Sequence, residues 1–99
     1  MNKCYFQLWE ESERGWGIRP DGCSIHLSPE GHNQYVADIY NIRQSEILVP
    51  DEYDRISGKL IECFISDTLF DVLKEKHSMR LMQHELNNLV NLEEIIFKS

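Results

Sequence analysis

Hydrophobic residues near the N-terminus recur at every second position, and this spacing constrains the fold more than any other feature of the chain. Residues 4–9 read CYFQLW and residues 23–27 read CSIHL. Successive side chains of a β-strand point to opposite faces, so both segments are predicted to be strands. Residues 16–18 resume extended structure after a polar turn at 10–15. The N-terminal region is therefore predicted to form a three-stranded antiparallel meander.

A tight turn is predicted between the second and third of these strands. Residues 19–22 read RPDG, which is the best turn signal in the chain. Proline presets φ at the second position of a turn, and glycine accepts the backbone conformation at its end.

Three segments are predicted to be helices. Ser28 can cap the first, with Pro29 at its first helical position. Ser66 can cap the second, and a third begins near Gln83, after a short strand at 79–82. The apolar residues of these helices recur at helical spacing: Tyr35, Val36, Ile39 and Ile42; Leu69, Phe70 and Leu73; and Leu86, Leu89, Val90 and Leu92.

The stretch 43–59 is predicted to be an acidic, irregular loop. Pro50 disfavours helix at the residue before it, and the SG pair at 57–58 indicates a turn. A loop of this length inside a small domain is often functional. Residues 60–65 are then predicted to be a central strand, whereas the pattern of residues 93–97 fits a helix and a strand equally.

Together these patterns predict a single α+β domain spanning residues 1–99. Its antiparallel sheet would combine the three N-terminal strands with one or two later strands, and two or three helices would cover one face. No apolar run approaches the ~20 residues of a membrane span, and the N-terminus lacks the apolar region of a signal peptide. We therefore expect a cytoplasmic protein that does not act on membranes.

The sequence offers little catalytic chemistry. Cys23 and His26 have the spacing of half a zinc site, but strand positions three apart point to opposite faces. Cys4, Cys23 and Cys63 lie in predicted strands, which indicates buried, reduced thiols that pack as small apolar groups. No glycine-rich segment resembles a phosphate-binding loop. We expect a protein without enzymatic activity, metal or cofactor.

Negative charge is concentrated in the middle of the chain. The net charge is −7, and residues 46–75 hold eight acidic residues against three basic ones. An acidic surface disfavours direct nucleic-acid binding and suits a basic protein partner. Within the predicted loop, Asp51, Glu52 and Asp54 would mimic phosphate groups. Tyr53, which lies among them, would anchor the contact.

Three aromatic residues are further candidates for partner binding. Tyr5 and Trp9 share one face of the first strand, and Trp16 lies in the second. If the helices cover the opposite face, these rings lie on the open side, where aromatic residues often form interface hot spots. Otherwise a third helix, or a second copy of this chain in a homodimer, would cover them.

Two stretches resemble small uncharacterised proteins of bacteria and their mobile elements. They are WGIRPDGCSIHL at residues 16–27 and VPDEY at residues 49–53, about a fifth of the chain. In size and acidity the chain is also similar in type to phage-encoded anti-CRISPR inhibitors and to immunity proteins that neutralise nuclease toxins. This resemblance of type implies occupation of a basic nucleic-acid site on a partner, and it assigns no role to individual residues.

The leading expectation is therefore a small inhibitor that blocks a basic nuclease or CRISPR effector. An immunity protein directed at a nuclease toxin is the second version of this activity. A structural or regulatory homo-oligomer is an alternative from another class. A small enzyme is a further alternative, and it would need a cleft that joins a histidine to a cysteine or a carboxylate.

Overall fold

One antiparallel sheet and three helices make up the described part of the chain. The computed structural model describes residues 1–13, 15, 17–45 and 53–97. The strands are β1 (Asn2–Glu13), β2 (Gly17–His26), β3 (Tyr53–Ile65), β4 (Ser78–Leu81) and β5 (Ile95–Phe97). The helices are α1 (Pro29–Ser45), α2 (Asp67–Lys76) and α3 (Gln83–Asn91). The strand order is β4-β2-β1-β3-β5, so the predicted α+β fold with an antiparallel sheet is confirmed.

Three long strands form the middle of the sheet and two short strands form its edges. β1 lies at the centre and pairs with β2 on one side and β3 on the other. β4 pairs only with residues 23–26 of β2, and β5 pairs only with residues 63–65 of β3. One half of the sheet is therefore five strands wide and the other half is formed by β1, β2 and β3.

The predicted meander is wrong in one respect, because the N-terminal region forms two long strands and not three short ones. β2 runs without interruption through residues 19–22, where a turn was predicted. The register changes there: Leu8 pairs with Cys23, whereas Glu10 pairs with Pro20. The extra residue on β2 makes this a β-bulge. Gly22 supplies the bulge with a φ of 75°.

Most of the predicted loop at 43–59 is regular structure. Residues 43–45 belong to α1 and residues 53–59 belong to β3. Residues 57–58, predicted as a turn, lie within β3, where the register against β1 changes between Phe6 and Leu8. Gly58 has a φ of 74° at this second bulge. Only residues 46–52 of the predicted loop lie outside the described part of the chain.

The predicted helix starts are confirmed by their capping hydrogen bonds. The backbone N–H of Gly31 donates to Ser28 Oγ at 3.0 Å, and the N–H of Leu69 donates to Ser66 Oγ at 3.3 Å. Such caps satisfy backbone donors that the first turn leaves unpaired. Within the ambiguous segment at 93–97, Ile95–Phe97 form the short strand β5.

The two faces of the sheet carry different kinds of core. α2 and α3 cover one face, as predicted, and enclose an apolar cluster. Its buried members are Cys4, Phe6, Cys23, Ile25, Cys63, Ile65, Leu73, Leu81, Leu86 and Ile95. All three cysteines are buried and unbridged, as expected. The third helix, α1, covers the opposite face, which carries most of the buried polar side chains.

No helix of the described residues combines the length and the apolar character that crossing a bilayer requires.

Candidate functional site

Trp9 is the centre of the polar core beneath α1. Its side chain is 1% exposed, and its Nε1–H donates to Ser24 Oγ at 2.8 Å. The rings of Tyr35 and Tyr40 from α1 lie edge-on to the indole, with centroids 6.2 and 6.4 Å away. The prediction that Trp9 contacts a partner is therefore wrong, because α1 covers the face of the sheet that was expected to be open.

A buried hydrogen-bond chain continues from Trp9. The indole can only donate, so Ser24 Oγ accepts from it, and the same oxygen lies 2.7 Å from His26 Nε2. His26 Nδ1 lies 2.7 Å from Ser78 Oγ on its other side. Each hydroxyl can donate or accept, so either neutral tautomer of His26 completes the chain. Burial lowers the pKa of His26 to about 4, and the neighbouring His32 adds to this effect.

Gln7 holds the bulge of β3 in place from the same face. Its buried amide Nε2 donates to the carbonyl oxygens of Leu8, Ser57 and Gly58 at 3.0–3.2 Å. Its Oε1 lies 3.0 Å from Nε2 of His32, a residue of α1. A single glutamine therefore ties the irregular part of β3 to the helix that covers it.

Arg80 joins three strands across this face. Its Nη2 donates to the backbone oxygen of Asp21 at 2.7 Å and to Asp21 Oδ2 at 3.1 Å. Its Nη1 lies 2.9 Å from Asp54 Oδ2, and its guanidinium carbon lies 4.5 Å from the ring centroid of Trp9. Burial, and then the hydrogen bond and charge of Asp54, raises the pKa of Asp21. One cation thus bridges two carboxylates that would otherwise repel each other.

This polar core supports the fold and is closed to a substrate. Ser24, His26 and Ser78 form a hydroxyl–imidazole–hydroxyl series, but Ser24 and His26 are 0% exposed. A nucleophile and its base must reach the bond that they attack. Cys23 lies in the apolar cluster on the other face of β2 from His26, as the strand periodicity predicts. No three histidine, cysteine or acidic side chains within the described ranges are grouped to hold a metal ion.

The structure separates the residues that were predicted to bind a partner. Trp16, Asp51 and Glu52 lie outside the described residues. Tyr53 is the first residue of β3. Asp54 faces Arg80, so part of its charge is already neutralised within the chain.

Tyr5 lies far from the other candidates along the sheet. It pairs with His26 on one side and Glu62 on the other, in the half of the sheet that the short strands widen. It is partly buried, and Lys3 Nζ lies 5.7 Å from its ring centroid. Ser12 lies seven positions further along β1 than Tyr5, a distance of about 23 Å at the rise of an extended strand.

The remaining candidates are attached to one end of the sheet. Ser12 is the partner of Ile18 on β2 and of Tyr53 on β3; we call this the distal end. The connection that contains Trp16 joins β1 to β2 here. The connection 46–52 enters β3 here, and it carries three acidic residues and no basic one. α1 runs towards this end, because His32 lies at Gln7 while the Tyr40 hydroxyl accepts from Ile56 N–H at 3.3 Å.

An apolar groove lies on the opposite face, where the cover of α3 ends and the sheet continues. Its volume is about 620 Å³. Leu8 at this groove is 43% exposed, although it sits in the middle of β1. The groove is lined by Phe6, Leu8, Ile61, Leu86, Asn87, Val90, Asn91 and Phe97. The sequence did not indicate it, because its lining residues come from four separate elements.

Comparison with known proteins adds no information on the fold or the site. No model of a protein family, no curated protein sequence and no solved structure matches the chain.

Proposed function

We propose that this protein is an inhibitor that binds a basic, nucleic-acid-handling protein through the distal end of its sheet. One observation carries the proposal. Pairing of Ser12 with both Ile18 and Tyr53 brings the attachment points of two candidate segments together. One segment contains Trp16, and the other contains Asp51 and Glu52. An acidic segment next to an aromatic residue suits a basic protein surface.

Asp54 has a different role from the one expected from the sequence. Its carboxylate binds Arg80, which also binds Asp21. A carboxylate held by an internal cation is a weaker mimic of phosphate than a solvated one. Asp51 and Glu52 are therefore the proposed contacts, with Tyr53 and Trp16 as aromatic anchors. The ion pair of Asp54 with Arg80 fixes the start of β3.

A charge-matched pair of variants tests the proposal. D51N/E52Q and D71N/E75Q change the net charge equally. Asp71 and Glu75 lie exposed on α2, the helix that follows the other end of β3. The partner is first captured from a host lysate at low salt and identified. Its dissociation constant is then measured against both variants by calorimetry at 150 mM salt.

We expect D51N/E52Q to weaken binding by at least 10-fold, and D71N/E75Q by less than 3-fold. Direct contacts depend on where a charge lies, whereas long-range attraction depends mainly on total charge. Equal affinity for both variants would contradict a site at the distal end. A partner without a basic surface would contradict the proposed class of target.

The nature of the captured partner separates the two versions of the activity. An inhibitor of a CRISPR effector is expected to abolish cleavage of target DNA by the purified effector. An immunity protein is expected to abolish cleavage by a nuclease toxin and to leave the effector active. Both outcomes are read from the same gel assay with the two nucleases side by side.

The apolar groove favours a second candidate function, a structural or regulatory homo-oligomer. Exposed apolar surface next to Leu8 and Phe97 is the observation behind it. The Trp9 face cannot be that interface, since α1 buries it. Sedimentation of the wild type and of Leu8→Glu tests this candidate: a dimer that the substitution dissociates supports it, and a wild-type monomer contradicts it.

A further inference from the structure

Two of the three buried thiols lie directly against each other. Cys4 on β1 and Cys63 on β3 are Cα partners in the sheet. Their Sγ atoms are 3.2 Å apart, and one thiol donates a hydrogen bond to the other. Both side chains are 0% exposed and neither is bridged.

The backbone already has the geometry that a disulfide requires. Directly opposed residues of antiparallel strands have Cα atoms about 4.5–5.5 Å apart, and disulfides span Cα separations of roughly 4.4–6.8 Å. Both side chains point to the same face, since both belong to the apolar cluster. The two sulfur atoms therefore need only side-chain rotation to come within bonding distance.

The third cysteine does not share this arrangement. Cys23 lies on β2 and pairs with Leu8 and Leu81. β1 separates it from β3, so Cys23 and Cys63 are not neighbours across a ladder. Cys4 is four residues from Leu8 along β1, so Cys23 is also out of register with Cys4. The chain thus contains one opposed pair and one separate thiol.

The surroundings make the pair slow to react while the sheet is closed. The hydrogen bond with Cys4, and then burial, raises the pKa of Cys63. A thiol attacks an oxidant as the thiolate, so reaction requires local opening. The pair lies next to the three-residue strand β5, because Cys63 pairs with Phe97 on its other side. A short edge strand is the part of a sheet that opens at low cost.

We propose that Cys4 and Cys63 are a redox pair that a hydroperoxide closes to a cross-strand disulfide. One thiol loses its proton, and its sulfur attacks the peroxide, so an S–O bond forms and the O–O bond breaks. The leaving hydroxide takes a proton and departs as water. The second sulfur then attacks the sulfenic sulfur, and the S–O bond breaks to release a second water. Two thiols and one hydrogen peroxide thus give one disulfide and two waters.

The disulfide would join the central strand to β3 across 59 residues of chain. A bond that closes a long loop restricts the unfolded chain far more than the folded one. Since the folded geometry already fits, we expect oxidation to raise the melting temperature by about 10 °C.

The test treats the folded wild-type protein with hydrogen peroxide and then blocks the remaining thiols with an alkylating agent. The expected product has lost two hydrogen atoms by intact mass, retains one alkylated cysteine at Cys23, and yields a linked Cys4–Cys63 peptide after digestion. Its melting temperature is higher, and a dithiol reductant reverses both changes. A link that involves Cys23, an oxygen adduct without a link, or a lower melting temperature would each overturn the proposal.

A matched variant separates the pair from general thiol oxidation. Cys23→Ala keeps both opposed thiols and is expected to form the same link at a similar rate. Cys63→Ala removes one and is expected to form no intramolecular link. Because Cys63→Ala risks unfolding, the peptide map of the wild type decides the question by itself. A link that forms only in denaturant would also count against the proposal.

Discussion

At the scale of single residues, Gly22 occupies a position where any side chain would collide with the backbone of β4. Its φ is 75°, and an added Cβ would lie 2.0 Å from the carbonyl oxygen of Leu81. We expect Gly22→Ala to lower the free energy of unfolding by at least about 3 kcal/mol, because positive-φ strain and the collision add. Urea denaturation followed by circular dichroism measures this change.

Gly58 provides the matched control for that substitution. Its φ is 74°, but nothing lies within 4 Å of an added Cβ. Gly58→Ala should therefore cost only the backbone strain, roughly 1 kcal/mol. Equal losses for the two variants would mean that the approach of β4 to Gly22 does not determine the cost.

His26 should make the stability of the fold depend on pH. The unfolded imidazole titrates near 6.5 and the folded one near 4, so between these values the unfolded chain binds more protons. The folded state therefore loses stability as the pH falls from 6.5 to 4, by about 3 kcal/mol in total, and loses no more through this group below pH 4. Urea denaturation at a series of pH values measures the slope.

His26→Asn removes this titration, so most of the slope between pH 6.5 and 4 should disappear. His84→Asn is the control, because His84 is exposed on α3. The control variant should keep the slope of the wild type. A wild-type slope in His26→Asn would assign the effect to other groups.

The wrong predictions for single residues share one cause, which is that contacts with distant parts of the chain decide their role. Trp9 was expected to be exposed, because periodicity shows that Tyr5 and Trp9 share a face but not which helix covers it. Asp54 was expected to be free for a partner, because its cation, Arg80, lies 26 positions away in the chain. Gln7 and Arg80 were overlooked, although each is a polar residue inside a mostly apolar predicted strand, which is a usable signal of a buried polar network.

At the scale of elements, local signals predicted the helix starts well and the strand ends poorly. Ser28 and Ser66 act within one helical turn, so their caps can be recognised from neighbouring residues alone. The RPDG stretch at 19–22 has the composition of a turn, yet it forms a bulge, because pairing with β1 on both sides of the bulge extends the strand through it. The same holds for Gly58, whose positive φ serves a bulge opposite Gln7.

The link that Arg80 makes between elements can be tested by removing its charge. Arg80 is 25% exposed, and Arg80→Met leaves Asp21 and Asp54 without their shared cation. We expect a loss of about 2 kcal/mol at pH 7, less than for a fully buried pair. The loss relative to wild type should shrink in acid, where protonation removes the repulsion between the carboxylates.

Arg19→Met is the surface control for this variant. The Arg19 side chain is 59% exposed and pairs with Glu11 at the rim of the sheet. Exposed pairs contribute at most about 1 kcal/mol. Equal losses of stability for Arg80→Met and Arg19→Met would mean that the bridge from Arg80 to Asp21 and Asp54 contributes no more than an exposed ion pair.

At the scale of the whole molecule, the sheet has a doubly covered half and a half beyond the cover of α2 and α3. Tyr5 and Phe6 of β1 pair on both sides, in the half of the sheet that lies between the two helix layers. Residues 17–19 of β2 pair only with β1 among the described residues, and they are exposed. We expect amides of the first group to exchange with deuterium at least about 100-fold more slowly than those of the second. Uniform exchange across β1 and β2, measured by NMR, would contradict this division.

The central position of β1 also determines the order in which the sheet can form during folding. Its contacts with β3 join residues that are 41 positions apart at the distal end and 63 apart at the other. During synthesis, β1, β2 and α1 are complete before any of β3 exists, so one edge of β1 must wait for its neighbour. Sheets closed by such distant pairings fold in milliseconds to seconds. The arrival of β3 is therefore the expected slow step of folding, and until it arrives β1 offers an open edge to other chains.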